Sequence, residues 1–118
     1  MQLRDGRVLV QDFGGTNWYV LTPDAQSVAQ EAATYATGGQ PPSQHVSVVG
    51  HTDTSGSVPY NMRLSERRAK ATADQLVADG VAQGTLDVSW KGKSEPAVQT
   101  GDGVKEPLNR RAVIDVNF

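Results

Sequence analysis

The sequence predicts an α+β fold: a two-layer sandwich in the order β-α-β-α-β-β, with both helices on one face of a small mixed sheet. Three observations point there. Two stretches, Pro23–Thr37 and Pro59–Asp79, carry helical start and stop signals. Short β-branched runs stand before, between and after them. The final run, Ala112 to Phe118, alternates apolar Ala112, Ile114, Val116 and Phe118 with other residues, the period of a half-buried strand.

Arg7 to Gln11 reads as the first strand, on Val8, Leu9 and Val10. Asp12 to Asn17 is a turn cluster, and Trp18 to Leu21 an apolar patch. Thr22 caps the first helix, Pro23 suits its first position, and Asp24 complements the positive helix end. The expected core face is Val28, Ala32 and Tyr35, assisted by Ala25 and Ala29, with Gly38-Gly39 as the stop. Gln40 to Ser43 is an extended connection, and Gln44 to Gly50 the second strand. The second helix is expected to bury Met62, Ala69, Ala73 and Leu76, with Val77 beside them. Arg63, Arg67, Lys70 and Asp74 then face solvent. Thr85 to Lys91 alternates Leu86, Val88 and Trp90 against polar residues, a third strand. Gly92 to Leu108 is a loop of seventeen residues, too long for a tight hairpin between the last two strands. Both β-α-β crossovers are expected to be right-handed.

The chain has 118 residues, enough for a single domain over 1–118 with one core. A net charge of -2 argues against a general nucleic-acid binder. With no cysteine, neither disulfides nor thiolate metal sites can form. No apolar run approaches the roughly 20 residues that span a bilayer, so no membrane insertion is expected of this domain. The first residues show no signal-peptide pattern. The chain therefore reads as either cytoplasmic or a piece of a longer secreted precursor.

The informative chemistry lies between Val46 and Ala69. An apolar run breaks at Gly50, passes through the polar loop from His51 to Ser57, and turns into the second helix. Ligands in α/β folds commonly sit where a strand ends this way. Asp53 stands in the loop. Asn61, Leu64 and Arg68 are spaced three and then four residues apart, on one helix face. An arginine fork matches a carboxylate, Asp53 accepts hydrogen bonds from an ammonium, and Asn61 both donates and accepts. The set suits a zwitterionic amino-acid end. The bland alternative is a structural ion pair between Asp53 and Arg68.

Other chemistries fare worse. His45 and His51 lie at opposite ends of one strand, and with one carboxylate they are too few for a metal site. Ser55 or Ser57 with His51 and Asp53 makes a triad on paper, without a nucleophile elbow to support it. No phosphate loop or dinucleotide fingerprint occurs, and no cofactor is implied.

The segments GHTDTSG, YNMRLSERRA and NRRAVIDVNF together resemble the OmpA-like peptidoglycan-binding domain, over about Arg7 to Phe118. That family includes outer-membrane proteins, peptidoglycan-associated lipoproteins and flagellar stator proteins. The resemblance implies noncovalent, noncatalytic binding of the peptidoglycan stem peptide. Its diaminopimelate-type residue would be gripped by Asp53 and Arg68, with Asn61, Leu64 and Thr52 completing the pocket. It also implies a place for Arg111, from the pair Arg110-Arg111, and for Asp12. The first strand departs from the family pattern. Gln11-Asp12 stands where Phe-Asp is usual, and the segment to Leu21 is longer, so that Trp18 and Tyr19 either contact glycan or pack on the core. The implied setting is the periplasmic side of the outer membrane, as a fragment of a longer envelope protein. The rivals are an envelope protein-interaction or dimerisation module using the same face, and a wall hydrolase working through Asp53 and His51.

Overall fold

The computed structural model describes residues 6–10, 13–14, 20–39, 42–52, 57–92 and 111–117. Six strands and two α-helices follow one another as β1 (Arg7–Val10), β2 (Phe13–Gly14), β3 (Val20–Leu21), α1 (Pro23–Thr37), β4 (His45–Gly50), α2 (Val58–Ala78), β5 (Leu86–Trp90) and β6 (Ala112–Asn117). The main sheet has the order β1-β6-β4-β5. β6 is antiparallel to both β1 and β4, while β4 and β5 run parallel. The last strand thus enters the middle of the sheet, and β5 and β6 are not neighbours, as the long connection between them required. Both helices pack on the same mixed sheet.

Local signals explain α1 well. Thr22 has extended backbone and its hydroxyl accepts a hydrogen bond from the Ala25 N–H at 3.3 Å. The helix ends at Thr37, and Gly38 donates to the Thr34 carbonyl. The buried face differs from expectation. It is an alanine face, Ala25, Ala29, Ala32, Ala33 and Ala36, while Tyr35 is 42% exposed and Val28 only partly buried. Small side chains let a helix approach its neighbours closely, and that proximity excludes the larger tyrosine.

α2 begins one residue earlier than predicted, with the Ser57 hydroxyl accepting from the Tyr60 N–H at 3.2 Å. Its buried seam is Asn61, Ser65, Arg68, Ala69, Thr72, Ala73 and Leu76. Met62 and Val77, expected in the core, are 37% and 40% exposed. The upper half of the seam is polar because it rests on the end of β4 and the loop beyond it, not on the apolar rows of the sheet. Val8, Ile114, Val48 and Val88 form one such row across the strands. The next row is Val10, Ala112, Gly50 and Trp90. A Cβ at Gly50 would lie 2.0 Å from the Ser65 carbonyl oxygen, so only glycine lets α2 cross there.

The short hairpin β2–β3 was not anticipated. Phe13 pairs with Leu21 and Gly14 with Val20, and both Phe13 and Leu21 are buried. Two-residue strands around glycines carry no readable alternation, so the sequence shows a turn where the structure has a hairpin.

Candidate functional site

Beyond Gly50 the chain leaves the sheet and is held on two sides by backbone hydrogen bonds. The His51 N–H donates to the Arg111 carbonyl at 2.8 Å, at the entrance to β6. The Thr52 N–H donates to the Gly92 carbonyl at 2.9 Å, just past the exit of β5. Gly92 in turn donates its N–H to the Ser65 hydroxyl at 2.8 Å, and Ser65 donates to the Met62 carbonyl at 2.9 Å. One chain of bonds therefore links α2, the end of β5 and the first residues of the loop. Gly92 has φ +59, and a Cβ there would lie 3.3 Å from the Met62 nitrogen, which explains glycine at that corner.

Arg68 is held against this frame. Its guanidinium Nη1 donates to the His51 carbonyl at 3.1 Å, and its Cζ lies 5.3 Å from the centre of the Phe13 ring. A cation over an aromatic face gains roughly 0.5–2 kcal/mol, more when desolvated. Arg68 is 2% exposed and is the largest fully buried side chain described. The Arg68 carbonyl accepts from the Thr72 hydroxyl at 2.8 Å, fixing the helix one turn further on. Asn61 and Thr52 are each 1% exposed, and Arg111 is 8% exposed. Leu64 is half-buried.

Of the residues singled out from sequence, the structure brings Thr52, Asn61, Leu64 and Arg68 to one end of α2. It ties Arg111 to the same place through the His51–Arg111 backbone bond. Asp53, Asp12, Ser55, Arg110, Trp18 and Tyr19 lie outside the described residues. Phe13 and Ser65 were missed. Phe13 sits in a turn-like string of residues, and its contact with Arg68 spans most of the chain between them. Ser65 was overlooked because hydroxyls inside helices usually serve only their own turn.

The arrangement offers a desolvated guanidinium, amide and hydroxyl groups, and an apolar edge at Leu64. In such surroundings a carboxylate at about 4 Å from the guanidinium gains roughly 4 kcal/mol at an effective dielectric of about 20, against about 1 in water. It is a site for binding an anionic group. Among the described residues no three His, Asp or Glu side chains come together as metal ligands. His45 lies by Asp87, 3.7 Å away, and Ser57, once weighed as a nucleophile, serves as the α2 cap.

Fold and site together define a small α+β module whose rigid strand–helix junction presents buried polar side chains for an anionic ligand. The OmpA family profile matches residues 15–110, and the chain belongs to the OmpA family. An outer membrane protein of Gluconacetobacter diazotrophicus is 39% identical over 100 residues, covering 80% of this chain and 26% of that protein. Outer membrane protein A of Klebsiella pneumoniae is 36% identical over 100 residues, covering 84% of this chain and 28% of that protein. The chain thus spans little more than a quarter of the length of these two relatives. Among solved structures, the peptidoglycan-associated lipoprotein of Burkholderia pseudomallei superposes with a TM-score of 0.77 at 27% identity, covering 93% of this chain and 90% of that one. The OmpA-like domain of FopA1 from Francisella tularensis shares the fold at 17% identity, with a TM-score of 0.74 over 94% of this chain and 75% of that one.

Proposed function

We propose that this domain binds peptidoglycan noncovalently and anchors a longer envelope protein to the cell wall from the periplasmic side of the outer membrane. The ligand is the stem peptide, held at the free end of its diaminopimelate-type residue. Arg68 receives the carboxylate and Asp53 the ammonium of that end. Asn61, Thr52 and Leu64 complete the pocket, and Asp12 and Arg111 border it. The observation that carries this reading is the seating of Arg68. A buried guanidinium, set by the His51 carbonyl and the Phe13 ring, is positioned before any ligand arrives, so little side-chain freedom remains to be lost on binding. Membership of the OmpA family and the likeness to a peptidoglycan-associated lipoprotein support the wall as partner. The reading needs no cofactor and no reaction.

Titration with two synthetic stem peptides tests it. One carries diaminopimelate and the other lysine, which keeps the ammonium and lacks the neighbouring carboxylate. The diaminopimelate peptide is expected to bind at least tenfold more tightly, since deleting one partner of a desolvated charged contact costs roughly 2–5 kcal/mol. Equal affinities would remove Arg68 from the role given to it.

A further inference from the structure

Beside the pocket, α2 carries a second charged stripe. Tyr60, Arg63, Leu64 and Arg67 line a cleft of about 230 Å³. At 100° per residue these four positions share one face, adjacent to the arc that buries Asn61 and Arg68. Leu64 stands at the border and belongs to both. Tyr60 is 49% exposed, and Arg63 and Arg67 are also on the surface.

Two features set this stripe apart from an ordinary solvated helix face. The first is its charge. No acidic residue is among the described lining residues, in a chain whose net charge is -2. Glu66, the nearest carboxylate in sequence, is engaged on another face by Lys70 at 2.6 Å. The second is the spacing of the arginines. Arg63 and Arg67 are four residues apart, where like charges weaken a helix by a few tenths of a kcal/mol. Helix stability therefore does not account for the pair.

We propose that this stripe is a second subsite, which takes a further carboxylate of the same stem peptide while Tyr60 covers the adjoining peptide or sugar. The inference rests on the wall-binding reading above and extends it along the ligand. With a rise of 1.5 Å per residue, the two guanidiniums stand about 6 Å apart along the helix axis, a spacing suited to flanking one carboxylate. A ligand anchored at Arg68 passes over Leu64 to reach them.

The test uses calorimetry with three ligands: free diaminopimelate, the stem peptide with its remaining carboxylates free, and the same peptide with those carboxylates amidated. Wild type is compared with Arg63→Gln and with the double variant Arg63→Gln/Arg67→Gln. The double variant is expected to bind the acidic peptide about three- to tenfold more weakly, the scale of two partly exposed ion pairs. Arg63→Gln alone should lose part of this, and both variants should bind free diaminopimelate like wild type. Amidation should weaken wild type by the same factor and leave the double variant little changed. If both variants bind the acidic peptide as tightly as wild type does, the second subsite is overturned and the pocket at Arg68 stands. If the variants lose as much for the amidated peptide as for the acidic one, the arginines do not read a carboxylate, and the subsite is again overturned. A wild type that binds none of the three ligands overturns the subsite and the wall-binding reading together.

Discussion

Ser65 shows how much of the site depends on a side chain that touches no ligand. Its hydroxyl donates to the Met62 carbonyl and accepts from the Gly92 N–H, and Gly92 accepts from Thr52. Ser65→Ala would leave the buried Gly92 N–H without that acceptor. An unsatisfied buried donor costs roughly 1–3 kcal/mol, so the variant should unfold at lower denaturant by that amount. The effect should also be local. Amide exchange at Thr52 is expected to speed up more than exchange at Val48, in the middle of β4. Equal acceleration at both positions would show that Ser65 supports the fold generally and has no special tie to the loop. The same scale explains what sequence reading achieved here. Arg68, Asn61, Leu64 and Thr52 were legible as a group because residue type and helical spacing place them together. Phe13 was not, since its contact with Arg68 joins a short hairpin to a helix far along the chain.

At the level of elements, legibility follows how local the cause is. The bounds of α1 were readable because Thr22, Pro23 and Gly38 determine them within one turn. The buried face of α2 was not. A hydrophobic-face argument selects Met62 and Val77, but the helix turns Asn61, Ser65 and Arg68 inward because its first half lies on the β4 end and the loop. The crossing at Gly50 controls that orientation and gives a sharp prediction. Gly50→Ala places a methyl 2.0 Å from the Ser65 carbonyl oxygen, so the helix must shift. A destabilisation of about 2 kcal/mol or more is expected from such overpacking. Gly84→Ala is the matched control, since nothing lies within 4 Å of its added Cβ. Urea unfolding should show it neutral or slightly stabilised. Comparable losses in the two variants would mean that the α2–β4 crossing is not tight.

Taken as a whole, the molecule puts rigidity and binding at the same place. β4 is central, parallel to β5 and antiparallel to β6, and the residues just beyond it are tied to both neighbours. The helix that covers the sheet also supplies Asn61, Leu64 and Arg68. The layer arrangement was readable from the succession of patterns. The strand order was not, because the entry of β6 between β1 and β4 is a long-range pairing that no local period encodes. No helix of the described residues is long and apolar enough to cross a membrane. Attachment to an envelope, in the function proposed here, comes from the wall polymer held at the end of α2.

The most direct test of that claim is co-sedimentation with purified peptidoglycan sacculi, wild type beside Arg68→Ala, with circular dichroism and urea unfolding to establish that both are folded. Removing a side chain this well buried will lower stability, and the comparison is made well below the unfolding transition of the variant. The account predicts that wild type pellets with the sacculi and that folded Arg68→Ala stays in solution. A folded Arg68→Ala that pellets as fully as wild type would contradict it, leaving Arg68 as a structural cation beneath a site that lies elsewhere.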